Sequence, residues 1–297
     1  MKGFSAQWLA LREPLDAQAR DAGLAVALGD ALAAMPQRQA PLEVIDLGAG
    51  TGANLRYAAP RLGGVQNWLL VEADPLLLAA VESSMRAWAN ESDALISGTG
   101  GSLGLRDERF DCRIQTVALD MALELDRLPL PAAGLLTASA LLDLVSEEWL
   151  RRLIRGASDA ALALWFALSY DGRISCHPVE PEDEEVRELV NRHQRRDKGF
   201  GPALGPGAAR AAIRILAEHG YRVQFAPSDW RVGPQRTELQ RALVTGWFEA
   251  ACEVAPQRTS GLHDWMRRRC AHIDQGRSLL QVGHTDLIAT LKYQIDA

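Results

Sequence analysis

Three glycines at alternate positions follow a short apolar run and form the most informative pattern in the chain. The segment VIDLGAGTG places Gly48, Gly50 and Gly52 where a buried strand gives way to a helix. Glycines at such a turn permit tight backbone geometry and close approach of a ligand. Glu72 ends the next apolar run, where a carboxylate can accept hydrogen bonds from ribose hydroxyls. The pattern therefore predicts a site for a ligand that contains a nucleoside.

The glycines alone leave two classes of ligand open. Gly48-x-Gly50-x-x-Ala53 also satisfies the loose dinucleotide pattern of a nicotinamide-dependent dehydrogenase. Asp46 stands two residues before the first glycine. An anionic carboxylate there would repel a pyrophosphate, whereas it suits a ligand that carries an amino group. Asp46 therefore favours an amino-bearing ligand over a dinucleotide.

The elements that must position these residues alternate along residues 41–172. Short apolar runs separated by helical patterns indicate buried parallel strands with helices on both faces of the sheet. Right-handed crossovers then give a doubly wound α/β sheet that is mostly parallel. The predicted strands are 42–48, 67–74, 112–120, 134–142 and 161–172, the last closed by a turn at Asp171-Gly172.

The remaining segments are predicted to be additions within a single domain of residues 1–297. Residues 1–40 form an N-terminal helical segment, and 173–205 form an insert suited to a lid or a substrate site. The C-terminal half, 206–297, contains two further strands at 221–227 and 284–293, with a helical insert at 237–277 between them. We expect these additions to select the substrate.

Four segments together resemble the class I S-adenosylmethionine-dependent methyltransferases. DLGAGTG (46–52) is similar to the family's first motif and LVEAD (70–74) to its second. VALD (117–120) falls where the family places a loop near adenine, and TASALLDLVSEEW (137–149) resembles its fourth-strand segment. The resemblance implies a Rossmann-like sheet of seven strands, the last inserted antiparallel, and S-adenosylmethionine as cofactor.

The resemblance also implies which residues hold that cofactor. Asp46 and the glycine loop would lie against the methionine part, Glu72 would bind the ribose diol, and Asp120 with Met121 would lie near adenine. We further expect the N-terminal segment to cover the cleft, with Arg12 near the methionine carboxylate. The complete predicted cofactor set is Asp46, Gly48, Ala49, Gly50, Gly52, Asn54, Glu72, Ala73, Asp120, Met121, Ser139 and Arg12, with no metal ion.

The acceptor site is predicted less sharply. Transfer of a methyl group from a sulfonium is an in-line displacement, so a general base is needed only if the nucleophile must lose a proton. The candidate bases are His177, Tyr170 and His193. Asp143 is a candidate substrate contact, as are Arg196 and Lys198, which precede a glycine-rich loop and could bind an anionic acceptor.

Composition narrows the function classes. The formal net charge is −6, which argues against a protein that grips nucleic-acid phosphates. No apolar run approaches the roughly 20 residues that span a bilayer, and the start of the chain lacks the unbroken apolar core of a signal peptide. Four scattered cysteines and an arginine-rich, alanine-rich usage suit the cytoplasm of a bacterium with a GC-rich genome.

The leading hypothesis is therefore methylation of a small molecule. The alternatives are an RNA methyltransferase, which would usually carry a basic face, and a non-catalytic protein that binds S-adenosylmethionine. The acceptor atom and the oligomeric state are left open by the sequence.

Overall fold

The computed structural model describes residues 4–34, 41–99 and 101–292. In chain order its strands are β1 (Leu42–Leu47), β2 (Gly64–Glu72), β3 (Leu95–Thr99), β4 (Ser102–Arg106), β5 (Phe110–Ala118), β6 (Gly134–Ser139), β7 (Leu162–His177), β8 (Tyr221–Pro227), β9 (Trp230–Val232) and β10 (Leu279–Leu291). Its helices are α1 (Ala6–Ala19), α2 (Ala22–Ala33), α3 (Ala53–Leu62), α4 (Pro75–Ser92), α5 (Met121–Glu124), α6 (Glu147–Asp159), α7 (Asp183–Gln194), α8 (Ala208–Glu218), α9 (Thr237–Val254) and α10 (Thr259–Asp274).

Within the described residues the strands form one ten-stranded sheet. Its main path is β3-β4-β5-β2-β1-β6-β7-β10-β8, and β9 pairs with β10. The five central strands β5, β2, β1, β6 and β7 are parallel, and β10 runs antiparallel between β7 and β8. This arrangement confirms the predicted doubly wound, mostly parallel α/β fold with an antiparallel strand inserted last.

The strand count exceeds the seven that were predicted. The stretch β5-β2-β1-β6-β7-β10-β8 corresponds to those seven, and β3, β4 and β9 are additional. β3 and β4 pair antiparallel with each other at the edge of the sheet, where most of β3 is solvent-exposed. Short edge strands do not need a continuous apolar run, so no pattern in the sequence indicated them.

The turn predicted at Asp171-Gly172 is wrong. β7 continues through both residues to His177, because β10 pairs with it from His177 back to Leu164. Gly172 adopts a φ of +92° and remains within the strand. The predicted insert at 173–205 therefore begins only after His177, and α7 occupies its middle.

The helices that border the site begin at residues able to cap them. Asp74 accepts a hydrogen bond from the backbone of Leu76 at 2.8 Å, and Pro75 occupies the first turn of α4. The hydroxyl of Ser146 accepts from the backbone of Trp149 at 3.2 Å and starts α6. Each of these capping residues is the last residue of a loop that leaves the carboxyl end of a parallel strand, β2 for Asp74 and β6 for Ser146.

The helical additions pack together on one side of the sheet. α7, α9 and α10 share a core that includes Val190, Val244 and Trp265. Arg269 is completely buried there, where it pairs with Asp183 and donates to the carbonyl of Pro178. α1 packs on β9 and against the same core. None of the helices in the described residues is both long enough and apolar enough to cross a bilayer.

Candidate functional site

A cavity of about 580 Å³ opens at the carboxyl ends of the central strands. This is the edge at which open α/β sheets bind ligands. Strands β1, β2, β5 and β6 lead into its floor, and α1 and the loop around Gly199 lie across it. The residues that line it include Phe4, Leu9, Arg12, Asp16, Gly48, Ala49, Gly50, Asn54, Glu72, Ala73, Leu77, Asp120, Met121, Leu123, Ser139, Ala140, Leu141, Leu144, Lys198, Gly199 and Phe200.

The glycine loop after β1 forms one wall of this cavity. Gly48 and Gly50 have φ values of +62° and +55°, a region that disfavours any residue with a Cβ. A Cβ at Gly50 would also lie 2.8 Å from the side chain of Leu9 on α1. The loop therefore exposes backbone to the cavity and allows α1 to approach closely.

Gly52, a predicted cofactor residue, lies outside the cavity lining. It precedes α3 with a φ of +83°. A Cβ there would collide with the side chain of Met85 on α4. Gly52 therefore supports the loop by letting α3 pack closely against its neighbour.

Glu72 is held by three backbone amides. Its Oε2 accepts from the N–H of Gly50 at 2.9 Å, and its Oε1 accepts from Ala73 at 2.8 Å and Asp74 at 3.0 Å. These bonds fix the carboxylate at the end of β2 and tie it to the glycine loop. Because a carboxylate has about four lone-pair sites and these amides use three, Glu72 keeps about one site, on Oε2, for a hydroxyl of a ribose.

Asp46 lies completely buried beneath the glycine loop and outside the cavity lining, whereas its neighbour Asn54 lines the cavity. Its Oδ1 accepts a hydrogen bond from Asn54 Nδ2 at 2.7 Å, and its Oδ2 has no hydrogen-bond partner among the described residues. Burial raises the pKa of Asp46 to about 7, and the hydrogen bond from Asn54 opposes that shift. An unpartnered buried acceptor of this kind suits a ligand that brings a positive donor.

Asp120 and Met121 form the opposite wall, after β5. Asp120 caps α5 by accepting from the backbone of Ala122 at 2.9 Å. Met121 is buried, and its carbonyl accepts from the indole of Trp149 at 2.7 Å. Leu123 lines the cavity mouth and is 82% exposed. Leu77 also lines the cavity, so apolar side chains from α4 and α5 border it.

The other end of the cavity lies between α1 and the end of β6. Arg12 Nε donates to Asp16 at 2.8 Å, and Asp16 also accepts from the indole of Trp230 at 3.0 Å. Ser139 lines the same cavity, and Ala140 beside it has a φ of +53°. A strained non-glycine residue in a cavity wall is typical of a functional site.

Lys198 brings a cation into the same end of the cavity. Its Nζ lies 3.4 Å from His193 Nδ1 and pairs with no carboxylate among the described residues. An ammonium can only donate, so Nδ1 accepts and the proton of His193 is on Nε2, which donates to Glu253 at 3.0 Å. Burial lowers the pKa of Lys198.

None of the three predicted bases lines the cavity. His177 is exposed at the far end of β7, because that strand continues past the predicted turn. Tyr170 is buried, and its hydroxyl donates to Asn191 on α7 at 2.7 Å. His193 lies behind Lys198 and contacts its ammonium group. The structure thus separates these side chains from the ligand space.

The two other predicted substrate contacts also lie outside the lining. Arg196 is exposed and donates to the backbone carbonyl of Glu253 at 3.1 Å, so its guanidinium is held on α9. Asp143 is buried next to the cavity wall, and its Oδ1 has no hydrogen-bond partner among the described residues. Burial raises the pKa of Asp143 to about 6, against the influence of Arg12 and Lys198.

Several lining residues were not found by sequence reasoning. Leu9 and Asp16 stand at helical spacing from Arg12 on α1, and that periodicity could have indicated one shared face. Phe200 follows the basic cluster and packs edge-on against Trp149, with ring centres 5.3 Å apart. Its place in the cavity follows from the path of the loop, for which the sequence has no signature.

Solved structures with related architecture are found, although no protein-family model and no curated protein matches the chain. A cyclopropane-fatty-acyl-phospholipid synthase-like protein from Lactobacillus casei superposes with a TM-score of 0.46 at 11% identity, over 96% of this chain and 94% of that one. A methyltransferase dependent on S-adenosylmethionine from Thiobacillus denitrificans, solved with S-adenosyl-L-homocysteine, gives 0.42 at 11% identity, over 97% and 99%.

A third solved structure is a cyclopropane synthase from Mycobacterium tuberculosis, with a TM-score of 0.42 at 12% identity over 89% of this chain and 84% of that one. All three scores lie below 0.5.

Proposed function

We propose that this chain is an S-adenosylmethionine-dependent methyltransferase acting on a small-molecule acceptor. The observation that supports this most directly is the arrangement around Glu72. Its carboxylate lines the cavity and is fixed by Gly50 of the glycine loop, while the unpartnered Oδ2 of Asp46 lies buried outside the lining. The cavity thus offers an acceptor for a ribose hydroxyl, and Asp46 behind its wall provides a buried acceptor for an amino group. A dinucleotide would instead bring its anionic pyrophosphate close to the Asp46 carboxylate, which would repel it.

The residues present fit the cofactor along its length. Glu72 would take a ribose hydroxyl, Met121 and Leu77 would flank the adenine, and Asp46 would receive the methionine amino group directly or through water. When bound, the cofactor supplies a methyl group on a positively charged sulfur, which is already activated for displacement. The chain then needs only to hold the acceptor in line with that methyl group and exclude water.

The acceptor end supports a small molecule with an apolar body and an anionic group. Leu9, Leu141, Leu144 and Phe200 supply apolar walls, and Lys198 supplies a cation without a carboxylate partner among the described residues. Arg12 is neutralised by Asp16, so it is less free to bind a second anion. We therefore infer that Lys198 binds the anionic group of the acceptor.

Ligand-dependent thermal stability tests the cofactor assignment. A ligand that binds only the native state raises the melting temperature. We expect S-adenosylmethionine and S-adenosylhomocysteine to raise it in a concentration-dependent way, and NAD and NADP to leave it unchanged. A shift with NAD or NADP alone, or no shift with either adenosyl ligand, would contradict the proposal.

A further inference from the structure

A buried arginine at the end of the N-terminal helix is connected to the cofactor half of the site. Arg20 follows α1, and its side chain is only 2% exposed. Its guanidinium carbon lies 4.0 Å from the centre of the Tyr57 ring and 4.3 Å from that of Trp165. A buried cation needs partners to offset its lost hydration, and two aromatic rings supply only part of that compensation.

Asp286 supplies the largest charge compensation, and a chain of hydrogen bonds that ends at Asp46 supplies a further part. Arg20 Nη1 donates to Asn54 Oδ1 at 2.6 Å, and Asn54 Nδ2 donates to Asp46 Oδ1 at 2.7 Å and to Thr137 Oγ1 at 3.0 Å. The Thr137 hydroxyl donates to the carbonyl of Trp165 at 2.8 Å, so it can only accept from Asn54. These bonds orient the Asn54 amide with its carbonyl towards Arg20 and its NH₂ towards Asp46.

Charged groups on α1, β2 and β10 act on this chain of bonds. Arg20 favours the ionised form of Asp46, whereas Glu72 on β2 opposes it and burial opposes it most. Arg20 itself faces Asp286 on β10, whose Oδ2 lies 3.8 Å from its Nε, and Asp16 on α1. The balance between the ionised and the protonated form of Asp46 therefore depends on Arg20, the cation at the end of α1.

We propose that Arg20 is a positioning residue for the cofactor: acting through Asn54, it keeps Asp46 a charged and correctly oriented acceptor for the amino group of the S-adenosyl ligand. This inference rests on the proposed function, because it assigns Asp46 to the amino-acid end of that ligand. It also makes docking of α1 a condition for tight binding of that end, since α1 carries Arg20 into the site.

A pair of ligands separates this role from a general structural one. S-adenosylhomocysteine carries the amino-acid end, whereas 5′-methylthioadenosine keeps the adenosine thioether and lacks that end. We would measure the affinity of both by titration calorimetry for the natural chain, Arg20→Met and Arg20→Lys, between pH 6 and 8.5. Comparing the proteins at each pH with the same ligand cancels the ionisation of the ligand itself.

Arg20→Met is expected to weaken S-adenosylhomocysteine binding about 10-fold at pH 7, because losing the cation makes Asp46 harder to ionise. The deficit should shrink as the pH rises, since Asp46 then regains its charge. Binding of 5′-methylthioadenosine should stay within about twofold of the natural chain, a difference of less than 0.5 kcal/mol by the usual conversion. Arg20→Lys keeps the charge and should recover part of the loss.

An equal loss for both ligands at every pH, or no loss for either, would overturn the inference. If Arg20→Met does not fold, Asn54→Ala provides the same comparison. This substitution removes the hydrogen bonds that link Arg20 to Asp46 while leaving Arg20 in place. It should reproduce the loss specific to S-adenosylhomocysteine, and an equal loss for both ligands would again overturn the idea. If the natural chain binds neither ligand, the proposed function itself fails, which is a distinct result.

Discussion

The two ends of the cavity are built in different ways. At the cofactor end, Gly50, Glu72 and Asp120 lie within or directly after neighbouring parallel strands, and backbone amides satisfy most of their hydrogen bonds. At the acceptor end, Arg12 and Asp16 of α1 share the cavity with Lys198, which lies far away in the chain, and all three interact mainly through side chains. The first end is defined by a local motif, and the second exists only once the additions have folded onto the sheet.

This difference has a functional consequence. Backbone contacts at the cofactor end depend on the loop conformation, so few substitutions can alter its ligand without breaking it. Side chains on α1 and in the loop at Lys198 can change without disturbing the sheet. The acceptor is therefore expected to respond to substitutions that leave the cofactor affinity unchanged.

The largest effect is expected at Glu72. Glu72→Ala should weaken S-adenosylhomocysteine binding by about 10- to 100-fold, since a hydrogen bond from a ribose hydroxyl to a carboxylate contributes roughly 1.5–3 kcal/mol. Titration calorimetry measures this, with Glu238→Ala on the exposed face of α9 as the control. An affinity within threefold of the natural chain would exclude Glu72 from the ribose site.

Asp46 should affect stability and binding in opposite directions. The folded-state pKa of about 7 exceeds the ordinary value of 3.8, so the folded protein without ligand binds the extra proton between these values. Its stability therefore falls as the pH rises through this window. Asp46→Asn removes that ionisation and should raise the free energy of unfolding by about 2–4 kcal/mol at pH 8, with no gain near pH 4.

The same substitution should weaken S-adenosylhomocysteine, because a neutral amide replaces the carboxylate that receives the amino group. Chemical denaturation at the two pH values gives the stability, with Asp30→Asn on the exposed face of α2 as the matched control. A loss of stability at pH 8, or unchanged binding, would contradict this account of Asp46.

Lys198 and Arg196 provide a matched pair at the acceptor end. Lys198→Met should lower kcat/KM for carboxylate acceptors by about 10-fold, because one charge-assisted hydrogen bond is lost. Arg196→Met should have little effect, since Glu253 holds that guanidinium outside the cavity. The assay is release of S-adenosylhomocysteine with a panel of small apolar carboxylates. If Lys198→Met instead weakens S-adenosylhomocysteine binding, the lysine serves the cofactor and the comparison between the two ends fails.

The smallest effects are expected at two of the predicted bases. Tyr170→Phe removes one hydrogen bond to Asn191 and should cost about 1 kcal/mol of stability without changing turnover. His177→Ala should change neither, because that side chain is exposed at the end of β7. A large loss of turnover in either variant, with cofactor affinity intact, would indicate that the residue takes part in methyl transfer after all.

The cofactor end was accessible from sequence for a physical reason. The turn after β1 needs glycines at Gly48 and Gly50, and the carboxylates of Asp46 and Glu72 lie on the strands that border this turn. Apolar residues fill the rest of those strands. The spacing of these glycines and carboxylates is local, so the pattern survives in one dimension. The same locality explains why the central parallel strands could be predicted, whereas the antiparallel insertion of the last strand was implied only by the resemblance to the methyltransferase family.

Only the tertiary structure decided the rest. β10 extends β7 past Gly172 and thereby carries His177 away from the cavity. The fold of α7 and α9 places His193 and Arg196 behind Lys198. Arg20 is linked to Asp46 through Asn54, and Arg20 and Asn54 are 34 positions apart in the sequence. Such contacts depend on where separate elements pack, and no local spacing records them. The sequence by itself determined the ligand turn and the sheet, whereas packing of the additions decided which side chains share the cavity.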